Sequence, residues 1–202
     1  MYYAVKIGKV PGIYNTWDEC KKQVNGFSGA KFHKFDTIEE ANNYIAKDNY
    51  IINHFNNDEL KYPCAFVDGS INPKTKEYGY GVVLIKDKKA EENPILYIGN
   101  GNDEKLRIMR NIAGELLGAI KAIEMAVDLK LKEINIYYDY LGIEMWGNNE
   151  WNSSIPFVTN YKKFIEEKRK NIKINFIKVA AHTGVNFNEK ADELAKKGAK
   201  VI

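Results

Sequence analysis

The stretch Ala65-Phe66-Val67-Asp68-Gly69-Ser70 is an apolar run that stops at a carboxylate followed by a glycine. Such a run reads as a buried strand, and its end delivers Asp68 to the rim of a core, where a desolvated charge is costly unless a cation compensates. A metal site is the natural reading. Three more carboxylates sit at comparable edges: Glu115 early in a long helix, Asp139 at the end of another strand, and Asp192 in the first turn of the last helix. Four acids on four elements can converge on one spot. Taken singly, each has a plainer role. Asp68 can be a turn residue, Glu115 a solvated helix residue, Asp139 a cap, and Asp192 a partner of the helix dipole.

Outward from this stretch, strand 65–70 is followed by strands 79–86 and 95–98, separated by turn-rich segments, hence an antiparallel meander. A helix over 112–129 carries Ile112, Leu116, Ile120, Ile123 and Val127 on one stripe. A strand over 134–139, helices over 141–146 and 158–170, a strand over 173–179 and a helix over 188–197 complete the order. Strands interrupted by helices late in the chain imply parallel crossovers added to an antiparallel start. The expected fold class is α/β, a mixed five-stranded sheet flanked by helices.

Residues 1–46 form a small α+β unit of their own. Strands over 2–8, 13–14 and 30–35 alternate with two capping boxes, Thr16-Trp17-Asp18-Glu19 and Thr37-Ile38-Glu39-Glu40, which open helices over 17–24 and 38–45. Fewer than fifty residues without metal or disulfide is near the minimum for independent folding. Lys6, Lys9, Lys21, Lys31 and Lys34 are interleaved with Tyr3, Trp17, Phe27 and Phe32, the mixture of cations and flat faces that nucleic acid binding uses. A solvated lysine face is the plainer reading. Residues 47–61 are asparagine-rich and read as a linker, with His54 solvated, and residues 62–202 as the larger domain.

The bounds agree. The chain has 202 residues, 45% hydrophobic and 28% charged, with net charge +3, so neither disorder nor a membrane span is indicated. The N-terminus lacks a signal-peptide pattern, and cytoplasmic residence is the default. Cys20 and Cys64 have no companion at zinc-ligand spacing.

In residues 2–45 the order Tyr-Ala-Val, Pro-Gly-Ile-Tyr, Thr-Trp-Asp-Glu-Cys and Lys-Phe-His-Lys-Phe resembles the hybrid-binding (viroplasmin-like) domain at the N-terminus of many type 1 ribonucleases H. The resemblance implies that Trp17 and Phe32 pack on the DNA-strand backbone while basic neighbours, Lys34 among them, contact phosphates; Tyr3, Lys9 and Lys21 are carried as contacts too. His33 stands where lysine is usual, which implies a weaker, more pH-sensitive phosphate contact.

Phe66-Val67-Asp68-Gly69-Ser70, Arg110-Asn111-Ile112-Ala113-Gly114-Glu115-Leu116, Ile136-Tyr137-Tyr138-Asp139-Tyr140, His182-Thr183-Gly184 and Asn188-Glu189-Lys190-Ala191-Asp192 together resemble the type 1 ribonuclease H catalytic domain. The resemblance implies an endonuclease that hydrolyses the RNA strand of RNA/DNA hybrids to 5′-phosphate and 3′-hydroxyl ends. Asp68, Glu115, Asp139 and Asp192 would hold two Mg2+ ions, with Mn2+ as a substitute, because hard oxygen ligands suit these ions. His182 would assist proton transfer or product release, and Asn72 and Asn111 would reach the ribose 2′-hydroxyl, with turn and cap roles as their plainer readings. Double-stranded RNA is a further candidate ligand of the N-terminal domain; no membrane and no obligate protein partner is expected. Two other classes stay open: a catalytically silent binder of hybrids or double-stranded RNA, and an exonuclease with a similar site. Tyr140 stands where many members carry serine, and the region from Tyr140 to Val158 lacks a lysine-rich protrusion, which shifts grip to Lys162, Lys163, Lys168, Arg169 and Lys170.

Overall fold

A computed structural model of the chain describes residues 1–27, 29–38, 40–41, 44, 60–179 and 186–201. It divides into two compact units, Met1–His54 and Phe55–Ile202. The expected linker lies outside the described residues except for its last two. Leu60 is buried, and the Lys61 amide donates to the Tyr137 hydroxyl at 3.0 Å, so these two residues pack onto the second unit.

The first unit contains β1 (Tyr2–Ile7), β2 (Gly12–Tyr14), α1 (Trp17–Val24) and β3 (Lys31–Phe35), with the sheet ordered β2-β1-β3 and both pairings antiparallel. Both capping boxes form. Thr16 Oγ1 accepts from the Glu19 amide at 3.3 Å and Glu19 Oε2 accepts from the Thr16 amide at 3.2 Å. Thr37 and Glu40 repeat the exchange at 3.2 Å in each direction. These bonds satisfy amides that a helix start leaves without partners. Ile38, Glu40, Ala41 and Tyr44 are helical; the rest of that second helix lies outside the described residues.

The second unit runs β4 (Cys64–Ile71), β5 (Tyr78–Ile85), β6 (Ile95–Gly101), α2 (Glu104–Arg107), α3 (Asn111–Asp128), β7 (Glu133–Tyr138), α4 (Gly142–Gly147), α5 (Pro156–Lys168), β8 (Lys173–Lys178) and α6 (Asn186–Gly198). The sheet order is β6-β5-β4-β7-β8, antiparallel from β6 to β4 and parallel from β4 to β8. Alternation along β4 divides the core: Ala65 and Val67 pack with α3, α4 and α5, while Cys64 and Phe66 pack with α6 on the other face. No described helix is long and apolar enough to cross a membrane.

Two sequence expectations are corrected here. The face of α3 that is fully buried is made mainly of Ala113, Ala119, Ala122 and Ala126 with Leu116 and Ile123, whereas Ile112, Ile120 and Val127 are only partly covered. The helix lies so close to the sheet that small residues occupy the contact and the larger ones flank it. The last helix begins at Asn186, so Asp192 stands in its second turn, beyond the first-turn amides; Glu189 is the first-turn acid.

Candidate active site

β4 and β7 run parallel with Phe66 opposite Tyr137, and the two rings stack at 4.7 Å. Two residues further on stand Asp68, still within β4 and paired with Gly81 of β5, and Asp139, one residue past the end of β7, both beyond the last β4–β7 ladder pair. Carboxyl ends of parallel strands are where open α/β sheets place ligands, since side chains there project past the core. Glu115 arrives from the other side. A Cβ on Gly69 would lie 2.3 Å from the Glu115 amide nitrogen and 2.5 Å from the Asn111 carbonyl oxygen, so only glycine lets α3 settle against β4 and bring its fifth residue to Asp68.

Asp68, Glu115 and Asp139 each offer an oxygen within 4.8 Å of the other two. Glu115 is 2% exposed and its Oε2 is buried without a hydrogen-bond partner; Asp68 Oδ1 accepts from the Gly69 amide at 2.6 Å. Burial, followed by the charges of Asp139 and Asp192, pushes the Asp68 carboxyl up to about 7, against the lowering pull of the Gly69 amide. Burial and the neighbouring Asp68 and Asp139 charges raise Glu115 well above the ordinary carboxylate range. Three crowded carboxyls with an unpartnered buried oxygen are poor company for one another and good company for a cation. The donor set is all oxygen, which fits a hard divalent ion such as Mg2+.

Asp192 is not within that triad. Its charge reaches Asp68, but its Oδ2 accepts a hydrogen bond from Lys196 Nζ at 2.6 Å. Sequence reasoning passed over Lys196, although the Asp-x-x-x-Lys spacing on one helix face was there to be read. Tyr140, next to Asp139, packs its ring 5.9 Å from that of Trp146, and burial and the Glu115 charge raise its hydroxyl above the ordinary range. His182 lies outside the described residues, as does His54. Asn111 is the exposed first residue of α3, beside Gly69. Asn72 sits in a turn, where its Oδ1 accepts from the amides of Lys74 and Thr75 at 2.9 and 3.2 Å, and its Nδ2 donates to the Lys200 carbonyl at 2.9 Å. That is the turn role.

In the first unit, Tyr3, Trp17 and Phe32 form a chain of rings spaced 5.7 and 5.6 Å, with Trp17 and Phe32 exposed. Lys34 pairs with Tyr3 across the ladder and shares its face. His33 alternates to the other face, where its ring lies 4.9 Å from Phe35 and 6.1 Å from Tyr44. The strand's two-residue period thus separates His33 from the Trp17–Phe32 pair. Lys9 and Lys21 line an open cavity of about 680 Å³ with Asp18, Lys22 and Asn25.

Comparison with known proteins gives two family matches: the ribonuclease H1 N-terminal domain over residues 1–45 and ribonuclease H over residues 61–200. Human ribonuclease H1 is 26% identical over 256 aligned positions, covering 99% of this chain and 90% of that protein. Among solved structures, ribonuclease H1 from the halophilic archaeon Halobacterium salinarum NRC-1 aligns with a TM-score of 0.52 at 18% identity, covering 69% of this chain and 98% of that one. LC11 ribonuclease H1, solved in complex with an RNA/DNA hybrid, aligns with a TM-score of 0.54 at 16% identity, covering 68% and 96%. At these identities the structural matches speak for the fold.

Proposed function

The chain belongs to the ribonuclease H family, and from that premise we propose that it is an endonuclease hydrolysing the RNA strand of RNA/DNA hybrids to 5′-phosphate and 3′-hydroxyl ends. The observation that carries this reading is the triad of Asp68 on β4, Glu115 on α3 and Asp139 just past β7, with a buried Glu115 oxygen left unpartnered. Asp68, Glu115 and Asp139 would hold the divalent cations, two per site, with Asp192 as the fourth ligand. When bound, such ions activate a water and neutralise charge on the leaving oxygen, with Mn2+ a competent substitute for Mg2+.

The protein's own contribution is placement and charge. The Gly69 amide orients Asp68, and the contact of Gly69 with α3 fixes Glu115. His182, on the residues preceding α6, would serve proton transfer or product release. Asn111, the first residue of α3, would meet a ribose 2′-hydroxyl near the acids, and Asn72 would serve the same group. In the first unit the exposed Trp17 and Phe32 rings, with Tyr3 and Lys34 on the same face, would lie against the hybrid backbone, and Lys9 and Lys21 would add phosphate contacts. His33, on the opposite face, would contribute a weaker contact, and double-stranded RNA is a candidate second ligand of this unit.

A labelled RNA/DNA hybrid incubated with magnesium tests the proposal against its rivals. Internal RNA cuts support it; binding without cuts marks a silent binder, and stepwise loss from an end marks an exonuclease. Duplex RNA and duplex DNA of the same sequence should remain intact.

A further inference from the structure

Three of the four expected acids share a point, and the fourth is held by a lysine. We propose that Lys196 is a positioning residue for the metal site: its ammonium keeps the Asp192 carboxylate in reserve and yields it to an arriving divalent cation. This rests on the reading of the Asp68, Glu115 and Asp139 cluster as a cation site.

The helix itself cannot supply the adjustment. A Cβ on Gly81 would fall 2.1 Å from the Ala191 carbonyl oxygen, and one on Gly79 would fall 2.3 Å from that of Ala195, so the turn carrying residues 191–195 lies in backbone contact with β5. Gly81 is the ladder partner of Asp68. Asp192 is therefore pinned at its backbone one strand away from the cluster, and its side-chain torsions are what remain to move it. Two cations compete for that carboxylate. One is Lys196, one turn along at 2.6 Å; the other is whatever ion the triad binds.

The plainer reading is an ordinary pair at helical spacing, like Lys197 with Glu193 one position on, also at 2.6 Å. The two pairs differ in surroundings. The Glu193 side chain is 42% exposed, whereas that of Asp192 is 24% exposed and its charge acts on buried Asp68. A lone lysine–carboxylate pair that still reaches solvent is a weak interaction, and a divalent ion bound beside it carries twice the charge and can displace it. Lysine suits the task because its charge rides on a flexible stem, and the Lys196 side chain is 40% exposed, with solvent to swing into.

The test is calorimetric titration of the full-length protein with magnesium chloride, without nucleic acid. Lys196→Met keeps the stem and removes the charge, and it should tighten magnesium binding by about threefold to tenfold, while Lys196→Arg stays near the parent. In an Asp192→Asn background the effect of Lys196→Met should vanish. Circular dichroism melts check that each variant folds. Unchanged or weaker binding in Lys196→Met overturns the proposal, and so does an effect that persists in Asp192→Asn. If the parent binds no magnesium, or Asp68→Asn binds it equally well, the metal-site reading itself falls and this inference with it.

Discussion

Gly69 on β4 and Gly114 on α3 touch backbone to backbone: a Cβ on Gly114 would stand 2.9 Å from the Gly69 Cα and 2.3 Å from the Gly79 carbonyl oxygen. Glu115 follows directly in the chain, so this contact sets how deep Glu115 sits beside Asp68. Gly69→Ala should cost about 1–3 kcal/mol, read as a lower urea midpoint, and should weaken protection by magnesium because α3 must retreat. An unchanged midpoint would mean that the helix has room which the contact distances deny.

Asp68→Asn should abolish cutting while hybrid binding persists, because the amide keeps the shape and loses the charge. Glu115→Gln removes a buried acid whose ionisation the folded state opposes and should stabilise the metal-free protein by about 1 kcal/mol, roughly 2–4 °C in Tm. Gel-based cleavage, fluorescence anisotropy and a thermal melt are the three readouts. A Glu115→Gln protein that melts lower than the parent contradicts the crowding argument.

The metal-free protein should lose stability as pH rises from about 4 to about 7. Asp68 sits at about 7 when folded, against its ordinary 3.8, so between those values the folded form binds the extra proton and each step upward in pH favours unfolding. Glu115 shifts in the same direction and deepens the slope. The loss should be on the order of a few kcal/mol, should shrink in Asp68→Asn, and should flatten with magnesium, which binds the ionised forms. Urea midpoints at several pH values check it, and a parent curve rising across this window would contradict it.

Removing residues 1–46 should weaken hybrid affinity and processivity while magnesium-dependent cutting stays measurable. Within the full chain, Trp17→Ala should cost roughly 1–3 kcal/mol of binding, and Lys34→Ala should lower the salt slope by about one unit. His33→Ala should act less than Lys34→Ala, since it lies on the other face of β3. A salt titration with unchanged affinity after truncation would remove the division of labour between the units.

Much of this was legible in the sequence because the signals are local. A capping box predicts its own hydrogen bonds, and Thr16 and Glu19 make both of them. The apolar run that stops at Asp68 marks where the buried part of β4 gives way, although the strand itself runs on to Ile71, so Asp68 is not at its end. What escaped depends on contacts far apart in sequence. The buried face of α3 could not be ranked by residue size, because the approach of Gly114 to Gly69 favours alanine at the contact. The start of α6 was placed two residues late, as Asn186 and Phe187 carry no cap signal that outranks Asn188, and that slip gave Asp192 a dipole partner in place of Lys196. The hydrogen bond from Asn72 to the Lys200 carbonyl spans 128 residues, a pairing that no local pattern announces.

The first unit keeps few apolar side chains fully inside: among the described residues these are Ala4, Val5, Cys20 and Ala41, all small, while Trp17 and Phe32 face outward. Such a module has little interior to hold it shut, and the large rings that would ordinarily supply one are spent on its exterior. Its persistence at working temperature should then follow occupancy. A ligand present at a hundred times its Kd adds about 2.7 kcal/mol, a sizeable fraction of what so small a body can muster unaided, so the module should melt early when idle and late when engaged.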